Sequence, residues 1–92
     1  MLSEVKLAIL ELAQRPGGVT TTQLIKWDYP TTSADRRARE LREEGYMTER
    51  PLTREEADAR GLTVLVSVFF VTERGRVQLL REANTHAERV RV

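Results

Sequence analysis

The segment Thr31–Arg50, TTSADRRARELREEGYMTER, decides the fold of this 92-residue chain. Ala34, Ala38 and Leu41 recur at intervals of four and three residues, which places them on one face of a helix. The glycine four residues after Leu41 is typical of a left-handed helix end. We therefore predict a helix over Ser33–Glu44 that packs through small residues and leads directly into a strand.

The other side of this helix is polar and rich in arginine. Its polar residues are three hydroxyl residues and four arginines: Thr31, Thr32, Ser33, Arg36, Arg37, Arg39 and Arg42. A slim helix with arginines on its outer side fits the major groove of DNA. One hydroxyl is needed to cap the helix, and the others could donate to a phosphate. The alternative is a solvated helix whose charges pair internally, as in Arg36–Glu40 and Arg39–Glu43.

The composition is typical of one small domain, with 40% hydrophobic and 32% charged residues. The chain has no cysteine, which excludes disulfides and thiolate metal sites. No apolar stretch reaches the length of a membrane span. Charges interrupt the apolar pattern at the N-terminus, so we expect no secretory signal and a cytoplasmic location.

Charge and motifs restrict the function classes. A net charge of +1 is low for a nucleic-acid binder, unless the positive charge is concentrated on one face. The sequence has no glycine-rich phosphate loop, nucleophile elbow or zinc-protease motif. The only histidine, His86, has no neighbours at ligand spacing. We therefore predict that the chain is not an enzyme and has no cofactor and no metal.

The first half of the chain is predicted to be mainly helical. Apolar residues at helical spacing indicate a first helix that is capped by Ser3 and ended by Pro16–Gly18. Val19 is a candidate for a very short strand. A second helix is predicted over Thr22–Trp27, because the turn Asp28–Pro30 cannot continue it. Its candidates for burial are Leu24, Ile25 and Trp27.

The second half is predicted to contain two strands with a helical excursion between them. A strand over Tyr46–Leu52 precedes a capping box, formed by Thr53 and Glu56, that begins a short helix over Arg54–Arg60. This helix is polar on nearly every side, so we expect it on the surface, with a Glu56–Arg60 pair. The segment Leu62–Thr72 is rich in β-branched and aromatic residues and is the second strand.

Both faces of the strand over Leu62–Thr72 carry apolar residues. We predict that the face with Val68 and Phe70 lies in the core, which leaves the face with Phe69 and Val71 half apolar. An exposed apolar strand face promotes aggregation. We therefore expect the first helix or another subunit to cover it.

A last helix is predicted to follow the second strand. Its apolar residues are Val77, Leu79 and Leu80. Residues 84–92 form a polar tail that we expect to fray. The predicted order is three helices, a strand, a long turn, a strand and a helix, which indicates a small α+β domain.

Two phrases carry a resemblance to a known family. They are Ser33–Tyr46, SADRRARELREEGY, and Phe70–Leu80, FVTERGRVQLL. With a strand pair between them, residues 1–83 resemble a winged helix-turn-helix domain of bacterial and phage transcription regulators. The resemblance implies a three-helix core, a β-hairpin wing and a C-terminal helix that often pairs two subunits. It also implies that the third helix enters the major groove.

These considerations predict sequence-specific binding of double-stranded DNA by a small dimeric transcription regulator. The dimer would form through the C-terminal helix, the strand over Leu62–Thr72, or both. By position, the resemblance implies DNA contacts from Thr32, Ser33, Arg36, Arg37 and Glu40. The remaining predicted DNA-binding residues are Thr31, Lys26, Arg54 and Arg60.

A winged helix used only as a protein-interaction module is the alternative, because a fold does not fix a function. The long, partly acidic connection Leu52–Gly61 favours it. DNA binding is favoured if four arginines share a face free of carboxylates: Arg36, Arg37, Arg54 and Arg60. The interaction module is favoured if three glutamates neutralise that face: Glu40, Glu55 and Glu56.

Overall fold

The computed structural model of the chain describes residues 2–27, 33–64 and 66–90, and side chains up to residue 83. Within these residues it forms five helices and a three-stranded antiparallel sheet, which confirms the predicted α+β class. The elements are α1 (Glu4–Ala13), β1 (Val19–Thr20), α2 (Thr21–Ile25), α3 (Ala34–Glu43), β2 (Met47–Pro51), α4 (Arg54–Ala59), β3 (Ser67–Val71) and α5 (Glu73–Val90). None of the helices in this described part is long and apolar enough to cross a membrane.

Hydroxyl caps set the starts of three helices. Ser3 accepts a hydrogen bond from the Lys6 backbone at the start of α1, as predicted. Thr20 forms a capping box with Gln23, so that α2 begins one residue earlier than predicted. The predicted capping box before α4 is confirmed: the Thr53 hydroxyl accepts from the Glu56 backbone, and the Glu56 carboxylate accepts from the Thr53 backbone.

The sheet has the strand order β1-β3-β2. Val19 pairs with Phe69, and Met47 pairs with Val71, so these four residues share the inner face of the sheet. Helices α1, α2 and α3 pack against this face and against one another. The main core comprises Ile9, Leu10, Ala13, Val19, Leu24, Ala34, Ala38, Leu41, Met47 and Phe69.

The structure corrects the predicted second strand in length and in orientation. Strand β3 covers only Ser67–Val71. The predicted strand began at Leu62, but the Leu62 backbone N–H donates to the Ala57 carbonyl and so belongs to the turn that ends α4. Phe69 lies in the main core, whereas Val68 is buried on the opposite face. The pairing of Phe69 with Val19 sets this orientation. The alternation of side chains could not predict it, because both faces of the strand are apolar. Leu65 lies outside the described residues.

The outer face of the sheet is covered by the chain's own α4 region. Leu52, Ala57 and Val68 are buried there, although none of them belongs to the main core. Arg50, which pairs with Val68 in the ladder, is hydrogen-bonded to Glu56 of α4. The face with Phe69 and Val71 is covered by α1, which confirms one of the two predicted covers. Helix α4 was predicted to be polar on nearly every side and to lie on the surface, and the correction is that its Ala57 is buried.

The junction between β3 and α5 explains the Thr-x-x-Gly phrase. The Thr72 hydroxyl donates to the Gly45 carbonyl at 2.7 Å and accepts from the Gly75 backbone at 3.1 Å. A methyl group at Gly75 would overlap the Tyr46 carbonyl oxygen, so only glycine allows this approach of α5 to the end of α3. The α5 backbone stays helical to Val90, beyond residue 84 where we expected the tail, while fraying of that tail stays a prediction.

Candidate functional site

Helix α3 is attached to the domain through small residues. Ala34, Ala38 and Leu41 are 6%, 0% and 0% exposed, as their spacing predicted. The helix packs against α1, α2 and β2 on that side. Because its inner face is narrow, the remaining circumference of α3 projects from the domain and carries only polar side chains.

The outer surface of α3 carries arginines in two different states. Arg36 is exposed and has no ion pair within the described part of the chain. Arg39 is exposed and lies 3.5 Å from the Asp35 carboxylate, one turn earlier. The two pairs given as examples of the solvated-helix alternative, Arg36–Glu40 and Arg39–Glu43, are absent from the described contacts. Internal pairs of the same kind are present instead: Arg37–Glu40, Arg39–Asp35 and Arg42–Glu43.

Glu40 is held from two sides. Arg37 Nη1 donates to its two carboxylate oxygens at 2.9 and 3.3 Å, and Lys6 Nζ of α1 lies 3.7 Å away. The hydrogen bond from Arg37 is the largest cause that lowers the pKa of Glu40, and the charges of Lys6 and Arg36 act in the same direction against the effect of burial. Arg37 is thus locally neutralised, and among the predicted contacts on α3 the unpaired cation is Arg36.

The N-terminus of α3 presents a hydroxyl without a capping role. Ser33 occupies the cap position, and its side chain makes no capping hydrogen bond. α3 therefore begins at Ala34, one residue later than predicted. Thr31 and Thr32, which we expected as caps or phosphate contacts, lie outside the described residues, as does the predicted turn Asp28–Pro30.

The remaining predicted cations differ in their engagement. Lys26 follows α2 and Arg54 begins α4; both are exposed, and neither has an ion pair among the residues described. Arg60 Nη2 instead donates to the Gly17 carbonyl at 2.9 Å, which ties the end of α4 to the turn after α1. Lys26 and Arg54 are therefore available to contact a ligand, whereas one guanidinium nitrogen of Arg60 is already hydrogen-bonded within the domain.

The predicted Glu56–Arg60 pair is absent from the described contacts, because Glu56 pairs with Arg50. The Arg50 guanidinium donates to both Glu56 oxygens at 2.8 Å and lies over the Phe70 ring, 5.2 Å from its centre. This bidentate hydrogen bond, followed by the bond from the Thr53 backbone, lowers the pKa of Glu56 to about 2. It also raises the pKa of Arg50.

Aromatic residues near α2 and α3 have mainly structural surroundings. Trp27 and Tyr46 are half-buried and pack against the main core, as predicted. The Arg74 guanidinium lies 4.9 Å from the centre of the Tyr46 ring, a contact that the sequence did not suggest. Ile25 was predicted to be buried and is 72% exposed, because α2 ends at this residue.

The described residues do not form a cluster of metal ligands. They contain no group of three or more histidine or acidic side chains that could hold a metal ion. The comparisons found no family model, curated protein or solved structure that matches the chain.

Proposed function

We propose that the chain is a winged helix-turn-helix protein that binds double-stranded DNA through α3. The observation that carries the proposal is the outer surface of α3, where Arg36 is exposed and unpaired beside the free hydroxyl of Ser33. Arginine reads guanine through two parallel hydrogen bonds, and hydroxyls at a helix start contact phosphate. Helices α2 and α3 would then be the helix-turn-helix, and β2, β3 and their connection the wing.

The proposed contacts follow the pairing of the charges. Arg36 is the candidate for a base contact. Ser33 and Lys26 are the candidates for contacts with the DNA backbone, together with the predicted contacts Thr31 and Thr32. Arg37 and Glu40 would act together as a pair that sets the orientation of the helix. Arg54 is the wing cation available for a phosphate, because it is exposed and has no ion pair among the described residues.

We propose that the regulator is a dimer that acts in a bacterial or phage-infected cytoplasm. Val77 and Leu80 of α5 are 40% and 65% exposed and lie one turn apart, which supports pairing through this helix. Dimer symmetry would place the two copies of α3 about 34 Å apart, or a multiple of this distance, along the DNA. The selected site would then be a two-fold repeat.

The second candidate function is a protein-interaction module. The neutralised pair of Arg37 and Glu40, together with the exposed apolar residues of α5, favours it. It predicts no binding to any duplex at low salt, whereas the DNA proposal predicts binding that weakens steeply as salt increases.

Selection of bound sequences from random duplex DNA tests the proposed function. We expect an enriched motif, and Arg36→Ala should cost about 1–3 kcal/mol and relax the choice at one base position. The matched control is Arg76→Ala, which removes an exposed arginine from α5. No enriched motif, or equal losses in the two variants, would contradict DNA reading by α3.

A further inference from the structure

A cleft of about 690 Å³ lies between α2, the turn after α1 and the segment after α4. Its size is within the range of small-molecule sites. The Arg60 hydrogen bond to the Gly17 carbonyl holds two of its walls together. The cleft is thus part of the folded domain and is separate from the outer surface of α3.

Positive charge is concentrated in this cleft. Arg15, Lys26 and Arg60 all line it, and no carboxylate is among the described lining residues. Several arginines elsewhere in the described chain are instead paired with acids, as in Arg37–Glu40 and Arg50–Glu56. A chain with a net charge of +1 therefore places three cations around one concave surface.

The same cleft has an apolar wall. Leu12, Leu62 and the half-buried Trp27 line it beside the three cations. A bare inorganic anion would leave this wall in contact with water, whereas a wholly apolar ligand would gain nothing from the three positive charges. The combination fits a ligand that has both an apolar body and a negative group.

We propose that this cleft binds a small organic anion, an arylalkyl carboxylate in chemical class. Its carboxylate is held by Arg15 and Lys26, and its ring lies against Trp27 and Leu12. Arg60 Nη2 is hydrogen-bonded to the Gly17 carbonyl, and the other guanidinium nitrogens of Arg60 lie beside the ligand carboxylate. The site goes beyond the proposed DNA binding and is tested without DNA.

Fluorescence of Trp27, the only tryptophan of the chain, tests the proposal directly. The probes are 4-phenylbutyrate, its neutral analogue 4-phenylbutyramide and inorganic phosphate. We expect 4-phenylbutyrate to change the emission in a saturable manner, and the amide and phosphate to bind about tenfold more weakly or worse. Equal binding of the amide or of phosphate, or no saturable binding of 4-phenylbutyrate, would overturn the proposal.

A pair of double variants localises the site. Arg15→Gln/Lys26→Gln should weaken 4-phenylbutyrate binding about tenfold or more, because it removes the charge-assisted hydrogen bonds. The control Arg36→Gln/Arg54→Gln removes two positive charges outside the cleft and should retain the wild-type affinity for 4-phenylbutyrate. All four side chains are exposed, so both variants should fold, which circular dichroism checks. Equal losses would overturn the proposal.

A charge-conserving variant separates the site from a structural effect. Arg15→Lys/Lys26→Arg keeps both positive charges and should bind 4-phenylbutyrate within about threefold of wild type. Loss of binding in this variant, with the fold intact, would contradict a site held by charge. The remaining alternative is that these cations serve only DNA phosphates. This alternative predicts that Arg15→Gln/Lys26→Gln weakens duplex binding and that the wild-type chain does not bind 4-phenylbutyrate. Such a result would also overturn the proposal.

Discussion

Helices α3 and α4 both carry arginine and acidic residues, but they are attached to the domain in different ways. α3 is held by buried Ala34, Ala38 and Leu41 in the main core, and its outer side is left to solvent. α4 buries only Ala57 and is otherwise held by polar bonds through Arg50–Glu56 and the cap at Thr53. The difference shows that apolar packing attaches α3 and leaves Arg36 exposed without an ion pair among the described residues, whereas α4 depends mainly on polar bonds to hold it in place.

The largest expected effect compares the same substitution beneath the two helices. Leu41→Ala removes a residue that is 0% exposed in the main core and should cost about 2–5 kcal/mol of global stability. Leu52→Ala, beneath α4, should fall near the lower end of that range, because its smaller cluster can collapse more easily. Urea unfolding measures both losses.

Amide exchange then distinguishes global from local opening in these two variants. We expect Leu52→Ala to accelerate exchange mainly in α4, and Leu41→Ala to accelerate it throughout the core. Identical patterns would show that the α4 cluster is part of the main core, contrary to our description.

An intermediate effect is expected from the cap of α4. Thr53→Ala removes the side chain that accepts from the Glu56 backbone at 3.2 Å, and should cost about 1 kcal/mol of local stability. Thr63→Ala, in the exposed turn before β3, is the matched control and should change little. Amide exchange in α4 is the measurement. Equal effects of the two substitutions would show that the Thr53 cap does not stabilise α4.

The smallest effect is expected from pH. The pKa of Glu56 is about 2 in the folded chain, below the ordinary value of 4.5. Since the folded pKa is depressed, the contribution of this carboxylate to the docking of α4 is present above about pH 4.5 and is lost as the pH falls towards about 2. Carbon NMR titration of the carboxyl should show this pKa.

Glu56→Gln is the control for the pH effect. It should weaken the docking of α4 at neutral pH and flatten the pH dependence that Glu56 causes, since glutamine does not titrate in this range. A Glu56 carboxyl that titrates near 4.5 in the wild-type chain would contradict the bidentate pair with Arg50.

Local patterns predicted the elements that depend on local chemistry. The caps at Ser3 and Thr53 and the apolar face of α3 agree with the structure, because hydroxyl caps and helical spacing act within a few residues. The orientation of β3 was predicted wrongly, because both of its faces are apolar and only pairing with Val19 chooses between them. Charge partners also required tertiary contacts: Lys6 reaches Glu40 from another helix, and no spacing rule brings Arg60 to Gly17.

The candidate site was predictable only in outline. Arginine content and helix position indicated the outer surface of α3, while the neutralisation of Arg37 and the exposed state of Arg36 depend on side-chain placement. The cationic cleft gave no sequence signal, because Arg15, Lys26 and Arg60 are far apart in the chain and are brought together by the fold.

The most direct test of the central claim is a map of amide chemical shifts on addition of the selected duplex. The account predicts that shifts concentrate in Ser33–Arg39, with smaller changes around Lys26 and Arg54, and that Ala57 in the buried side of α4 stays unchanged. Shifts confined to α5, or no shifts at low salt, would contradict DNA binding by α3 and would leave the protein-interaction module as the function to pursue.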